Sequence, residues 1–418
     1  MCQAAFNCKT PLVATVQTEH SLWQPKLMYL INNAWTSAQS NFLSIFYQQM
    51  AQFTKVQIGF LQTLPCLCTM LAPPFWGVVA DRIENQRLIH IVCIITGALL
   101  MFAVRFFYWS FDWMVVVIIV SNFQVAPTGS LLDHTVLNLL DKVGGEYGKQ
   151  RLFGALGYGL GAYVTGLIVA VAGISWSFNV SLGLGLTSLL VLRTIPPMQH
   201  SRLLNDAVLE YGAVKPPSFM ENVRMIYKMG DVLVLLNVVF LMGLMYGVLS
   251  SFLTLNLYNL SGKNAQIVGI AIMCETASEL PAFFYSHKII NRFGIVNVLL
   301  LSIIAWAACT QFVYSAASPG CQGTIMGVLN AVQNGLARGM GTLIGGYFYE
   351  HYGARTMWLV ADLGVPLALI GLGVFAHFKS KKNVVQGTFL EEAELFSPHA
   401  GNPQRLKSDM DQTYHEIP

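Results

Sequence analysis

Charged side chains are scarce in this sequence. Asp, Glu, Lys and Arg make up 11% of its 418 residues against 54% hydrophobic, a balance that excludes an ordinary water-soluble globular chain and makes the bilayer the expected solvent. The net charge is only +3 and no Lys/Arg run is dense, so nucleic acid is not an expected partner. Cysteines are few and scattered, at Cys2, Cys8, Cys66, Cys68, Cys93, Cys274, Cys309 and Cys321. Six of them lie in or beside apolar segments, which argues against a disulfide framework and reads them as small apolar side chains. No basic start followed by an apolar run precedes Gln24, so a cleaved signal peptide is not expected and the first span serves as the uncleaved signal. Metal-ligand spacings, a phosphate-cradling glycine loop after a strand and a nucleophile constellation are all missing. An enzyme, a cofactor and a metal are therefore not expected.

What is present is a series of long apolar runs, near 27–50, 57–80, 88–108, 113–137, 152–172, 175–193, 231–257, 266–287, 295–315, 321–349 and 357–378. Each is close to the roughly 20 residues that a helix needs to cross a bilayer. The eleven runs predict an all-α polytopic membrane protein, a multi-pass chain whose membrane the sequence does not name. One long polar connector, with Arg202, Lys215, Arg224 and Lys228, divides six runs from five. The expected organisation is a cytoplasmic tail over 1–24, a six-helix bundle over 25–194, a cytoplasmic linker over 195–229, a second bundle of about five helices over 230–378 and a disordered tail over 379–418. The tail opens on Lys379, Lys381 and Lys382, turns acidic at Glu391, Glu392 and Glu394, and lacks helical periodicity.

With the N-terminus inside, Arg82, Arg87, Lys142, Lys149, Arg193, the connector, Lys288 and Arg292 share one side, opposite isolated residues such as Lys55 and Lys263, as the positive-inside tendency asks. Asn259-Leu260-Ser261 is then a glycosylation sequon in an external loop. A short echo, GVVADRIENQR from Gly77 to Arg87 and SHKIINRFG from Ser286 to Gly294, follows the second span of each bundle and points to two related halves.

A charge at membrane depth costs at least about 2.5–3.5 kcal/mol on insertion scales, so each should face the bundle interior with a partner. Asp133 is expected to end the fourth span and Arg151 to open the fifth. Arg151 reads either as a helix-capping basic residue or as a cavity residue paired with a carboxylate or substrate anion. Glu275 and Glu279, one turn apart in the eighth span, read either as a hydrogen-bonded pair holding helices together or as titrating carboxylates for proton coupling. Arg338 needs a partner, and its neighbours Gly335, Gly339 and Gly341 read as close-packing residues. Arg105 and Asp362 lie near span ends, where snorkelling is cheap. Asn32, Asn33, Gln39 and Asn41 share much of one helical face in the first span, lining a cavity or bridging helices. Pro65, Pro73 and Pro74 in the second span are tolerable in lipid where neighbours satisfy the freed carbonyls.

Ala126 to Asp133 (APTGSLLD) followed by Tyr147 to Gly157 (YGKQRLFGALG) resembles a branch of the major facilitator superfamily. That branch includes the lactose permease, nucleoside:proton symporters and the animal major facilitator superfamily domain-containing protein 6. Further likeness lies at Gln57-Ile58-Gly59, at Ala72-Pro73-Pro74 through Asp81-Arg82, at Ser278 to Pro281 through Gly294, and at Ala337 to Gly353. The resemblance implies the major facilitator fold of two six-helix halves, a midplane cavity and alternating access, often driven by protons. It also implies substrate binding at Arg151, a coupling glutamate at Glu275 and a gating loop at Asp81-Arg82. Trp306 and Gly247 stand where the sugar symporters place charged residues, so sugar specificity does not carry over.

The tenth of the usual twelve helices has no counterpart at Ser315 to Gly320. About five residues at no more than 3.6 Å each cannot recross a 30 Å core. Either the last two helices invert, or the chain is a shortened carrier. The expected function is a secondary-transporter-like membrane protein in the lipid bilayer, acting as a monomer. It would move a small organic solute, with protons as a candidate coupling partner, using Arg151, Asp133, Glu275, Glu279 and Arg338. The alternative is a non-transporting membrane receptor or degenerate carrier.

Overall fold

A computed structural model describes residues 23–83, 85–143, 147–195, 230–281 and 328–374, and among them there are helices and turns but no strand. Six helices come first: α1 (Trp23–Gln49), α2 (Lys55–Ile83), α3 (Gln86–Ala103), α4 (Phe111–Val143), α5 (Tyr147–Ala172) and α6 (Trp176–Thr194). Then come α7 (Gly230–Leu260), α8 (265–281) and α9 (Arg338–Asp362), the last entered through a π-helical stretch at Ala331–Ala337. At Gly353 the backbone takes φ 81 and ψ 170, a conformation open to glycine but strained for other residues. The chain turns back there and is helical again to 374. Ten of the eleven expected spans thus have helical counterparts. The run 295–315, the linker, both tails and the Ser315–Gly320 joint lie outside the described residues.

α1 is the hub of the first six helices. Its Trp35, Phe42, Phe46 and Tyr47 are fully buried, and α5 lies against it through Gly157 and Gly161, where a Cβ would collide with the backbone of Leu30 and Ala34. In lipid, where burial of apolar surface drives helix association weakly, such close backbone approach is what joins helices. The polar face of α1 is bonded partly within the helix and partly to α3 and α5, where Tyr158 Oη donates to Asn41 Oδ1 at 3.2 Å. Asn32 accepts from Trp35 Nε1 at 3.2 Å, and Gln39 reaches Met101 Sδ of α3 at 2.9 Å. α2 continues as helix through Pro65, Pro73 and Pro74, and Thr69 Oγ1 donates to the Pro65 carbonyl at 2.6 Å.

Asp133 was expected at a helix end, and here the structure corrects the sequence reading. α4 runs on to Val143, about 15 Å further at 1.5 Å per residue, because Leu139 and Leu140 still pack against the first six helices where the continuous apolar run has stopped. The sequon residue Asn259 sits in the last turn of α7, and its Nδ2 donates to Gln48 Oε1 of α1 at 3.1 Å, so the amide a glycan would need is already engaged.

Arg82, Arg87 and Arg193 cluster at one end of the molecule, where Arg87 Nη2 donates to the carbonyls of Leu192 and Arg193 at 3.1 and 2.9 Å. We call this the basic end. α2 runs away from the opposite end, and the stretch from Gly335 to Gly346 pairs antiparallel with it: Gly335 meets Met70, Gly339 meets Thr63 and Gly346 meets Gly59. Helix 338–352 therefore rises from the basic end, and the segment after Gly353 descends along α7, with Gly364 at Met245 and Gly371 at Val238. Inversion of the last two helices, one of the two sequence alternatives, is excluded by this packing.

Candidate functional site

Two seams join the first six helices to the later ones. Along α2 and α9, a Cβ at Gly59 would lie 2.7 Å from Thr342 O and 3.2 Å from Gly346 Cα. Along α5 and α8, a Cβ at Gly166 would lie 2.8 Å from Ala265 O and 3.1 Å from Gly269 Cα. The seams repeat one another: glycine faces glycine, helix backbones touch, and both lie toward the end opposite the basic cluster. Hydrogen bonds reinforce that end. Ser44 Oγ donates to Ser251 O (2.9 Å), Gln49 Nε2 to Tyr258 Oη (2.5 Å) and the Lys55 backbone N–H to Glu350 Oε2 (2.6 Å). Thr63 and Thr342 hydroxyls, 2.7 Å apart, close the series. None of these contacts is announced locally in the sequence, since the partners are hundreds of residues apart. Gln57-Ile58-Gly59 and Gln266 to Gly269 are the nearest thing to a signal.

Below the seams lie the polar groups. Asp133 and Arg151 come together: Arg151 Nη1 stands 3.8 Å from Asp133 Oδ2, with side chains 63% and 30% exposed, and Tyr29 Oη donates to Asp133 Oδ1 at 2.5 Å. The exposure of Arg151 makes the pair weakly stabilising. It is nevertheless a three-helix junction of α1, α4 and α5, in which Arg151 is paired with a carboxylate.

Arg338 occupies a different place. It follows the π-helical stretch directly, and its backbone N–H bonds to Gln333 O. Its guanidinium lies over the Tyr246 ring, 4.9 Å from the centroid, and its Nε donates to Ser250 Oγ at 3.2 Å. Its charge also reaches Cys66 of α2 and Tyr158 of α5, and Tyr158 Oη in turn donates to Asn41 Oδ1 of α1 at 3.2 Å. Five helices therefore converge around it. Counted at 1.5 Å per residue, Arg338, Tyr158 and Ser250 lie roughly 15–21 Å from the opposite ends of their helices, near the middle of a 30 Å core. Gly335, Gly339 and Gly341 pack against Met70, Thr63 and the Leu244 backbone, as expected of close-packing residues, and Gly247 fits beneath the Arg338 carbonyl.

Glu275 and Glu279 lie one turn apart on exposed positions of α8, flanking Thr276, which packs on Gly159 of α5. The structure does not join them to Arg338. Arg82 is exposed at the end of α2, and Asp81 lies in the last turn of that helix.

The pattern of the MFS_1 like family matches this chain over residues 22–305 and 304–360. Among curated relatives, the maltose permease of Geobacillus stearothermophilus is 26% identical over 80% of this chain and 89% of its own. The nucleoside permease NupG of Escherichia coli is 23% identical over 78% and 77%. The crystal structure of nucleoside transporter NupG superposes with a TM-score of 0.69 at 18% identity, over 84% of this chain and 98% of that one. Six stretches among the described residues are long and apolar enough to cross a membrane. The last of them, Val328–Val374, contains the Gly353 break. The chain belongs to the MFS_1 like family of the major facilitator superfamily, an integral multi-pass membrane protein of the secondary-transporter class and not an enzyme.

Proposed function

We propose that this chain carries a small organic solute across its membrane by alternating access between a first bundle, 25–194, and a second, 230–378. The observation that carries the reading is the pair of glycine-crossed seams. They close one end of the molecule through glycine and hydroxyl contacts, beside an apolar cluster in which Ile58 and Leu61 meet Phe252, and the two bodies can part along these smooth crossings. The basic end is the cytoplasmic one, with the linker 195–229, the tails 1–24 and 379–418 and the Asp81-Arg82 gating turn on that side. Asp133 and Arg151 form an ion pair at the entrance. Glu275 and Glu279 supply the proton-coupling carboxylates, since neighbouring carboxylates at membrane depth favour holding a proton between them. The carrier acts as a monomer in the lipid bilayer.

Reconstitution of the 418-residue chain in proteoliposomes tests this. An imposed proton gradient should drive uptake of at least one solute from a panel of sugars, nucleosides and carboxylates, and Glu279→Gln should abolish the gradient dependence. Absence of gradient-driven uptake for every member of the panel would refute the reading.

A second reading, an incomplete carrier or non-transporting receptor, is favoured by chain connectivity. α8 descends toward the basic end and helix 338–352 rises from it, while the sequence between 282 and 327 offers one run of spanning length, 295–315, where a return to the same end calls for none or two. The alignment to the maltose permease runs over 376 positions while drawing on 80% of this chain, about 334 residues. About 42 positions are thus filled by the permease alone, room for one span and its loops. Sequencing full-length transcripts across Tyr314 to Cys321 decides between the readings. A longer message encoding an extra span assigns transport to that product, whereas its absence leaves this chain as the working form.

A further inference from the structure

Arg338 is a cation at the centre of the protein with no acid bonded to it among the described residues. Its Nε is taken by Ser250 Oγ and its face by Tyr246, which fixes the plane of the guanidinium while Nη1 and Nη2 have no protein acceptor among the described residues. The Ser250 hydroxyl itself points back to Gly247 O at 3.4 Å, so it accepts from the arginine and cannot neutralise it. The carboxylates of the described helices are engaged or placed elsewhere: Asp133 with Arg151, Glu350 with the Lys55 backbone at the far end, Glu275 and Glu279 along α8, and Asp81, Asp112, Asp141, Asp231 and Asp362 in the first or last turns of their helices. The sequence from 282 to 327 contains no Asp or Glu at all. An arginine at this depth costs at least a few kcal/mol and is ordinarily offset by a partner within the protein.

Two further features set this position apart. The π-helical stretch ending at Ala337 widens the backbone immediately before the arginine, a distortion often found at functional sites. The groups around it are neutral hydrogen-bonding ones, Tyr158, Tyr246, Asn41 and Ser250, suited to orienting a bound molecule without competing for its charge. A planar guanidinium held on edge by a stacked ring and one hydroxyl presents two parallel N–H donors, the geometry that matches a carboxylate in bidentate fashion.

We infer that the solute of this carrier is a carboxylate-bearing organic anion, and that Arg338, not the acid-paired Arg151, receives its carboxylate. The inference rests on the carrier reading above and names the substrate class of the same central site. The solute's negative charge supplies the counter-ion that the protein omits, so the occupied site is neutral and can be carried between the two faces, whereas the empty one retains an exposed cation.

The test uses the purified full chain in detergent. Thermal unfolding is followed with phenylacetate, with its neutral isostere phenylacetamide, and with maltose and uridine as neutral polyols. Phenylacetate should raise Tm saturably and phenylacetamide should not. Arg338→Gln should weaken the apparent Kd for phenylacetate by at least about tenfold, with Arg338→Lys intermediate because it keeps the charge but loses the fork. Both variants are required to elute as monodisperse protein, and the lysine variant carries the test if glutamine does not fold. Equal stabilisation by the acid and the amide, or unchanged affinity in both variants, overturns the assignment. If maltose or uridine stabilises the protein and phenylacetate does not, the anion assignment falls while the carrier reading stands. If no solute stabilises it and gradient-driven uptake is also missing, both fall.

Discussion

Arg151 and Arg338 are the two arginines that the sequence flags near membrane depth, and the structure treats them oppositely. Arg151 lies toward the basic end, 63% exposed, within 4 Å of Asp133. Arg338 lies between the bundles, stacked on Tyr246, bonded to Ser250 and without a carboxylate among the described residues. The difference separates two uses of a cation in a membrane protein. In the proposed reading, one closes an entrance with an ion pair that water and salt can loosen, and the other takes its counter-ion from the solute.

The comparison can be broken at several points. The largest effect is expected where the backbone carries Arg338: Gly247→Val would drive a side chain into the Arg338 carbonyl and should destabilise the protein by about 1–3 kcal/mol through overpacking, read as a lowered Tm with loss of solute binding. Next, Arg338→Gln should lower solute affinity at least about tenfold, while Arg151→Gln changes it by less than about threefold. Similar losses in the two variants would erase the distinction. Smaller still, Gly59→Ala places a Cβ 2.7 Å from Thr342 O and should bias the molecule toward opening at the far end. That bias is measured as faster thiol labelling of a cysteine introduced at Ser251 in a background lacking the native cysteines. Asp133→Asn should be smallest, below about 1 kcal/mol in unfolding free energy, because the exposed partner is screened and the amide oxygen still accepts from Tyr29. A larger loss would mean that the pair is buried in solution.

The contrast also marks what was legible in the sequence. Long apolar runs gave the helices, and the runs of glycine around Arg338 announced close packing that the structure contains. The length of α4 was not legible, because its last turns alternate Leu139 and Leu140 with polar residues and so break the continuous run while still packing on the first bundle. Nor were the seams, since Gly59 and Gly346 meet across 287 positions and glycine carries no label of its partner. The π-helical stretch before Arg338 had no local signature at all. The partner of Arg151 was half visible: one of its two readings paired it with a carboxylate or a substrate anion, and only the assembled α1, α4 and α5 could say that it meets Asp133. The missing acid beside Arg338 is a property of the whole arrangement and could be seen only once the described helices were assembled.

The central claim is that the two seams are a gate that opens. The Thr63 and Thr342 hydroxyls lie 2.7 Å apart, one on each bundle, so cysteines in their place bring two sulfurs within reach of a bond without adding a Cβ to the seam. In the double variant Thr63→Cys/Thr342→Cys, made in a background lacking the native cysteines, cleavage of the 195–229 linker followed by a non-reducing gel should leave the halves joined, unlike the parent chain. Uptake should fall to background when the bond forms and return on reduction. A bonded protein that transports at the parental rate would contradict the gate and, with it, alternating access across these seams.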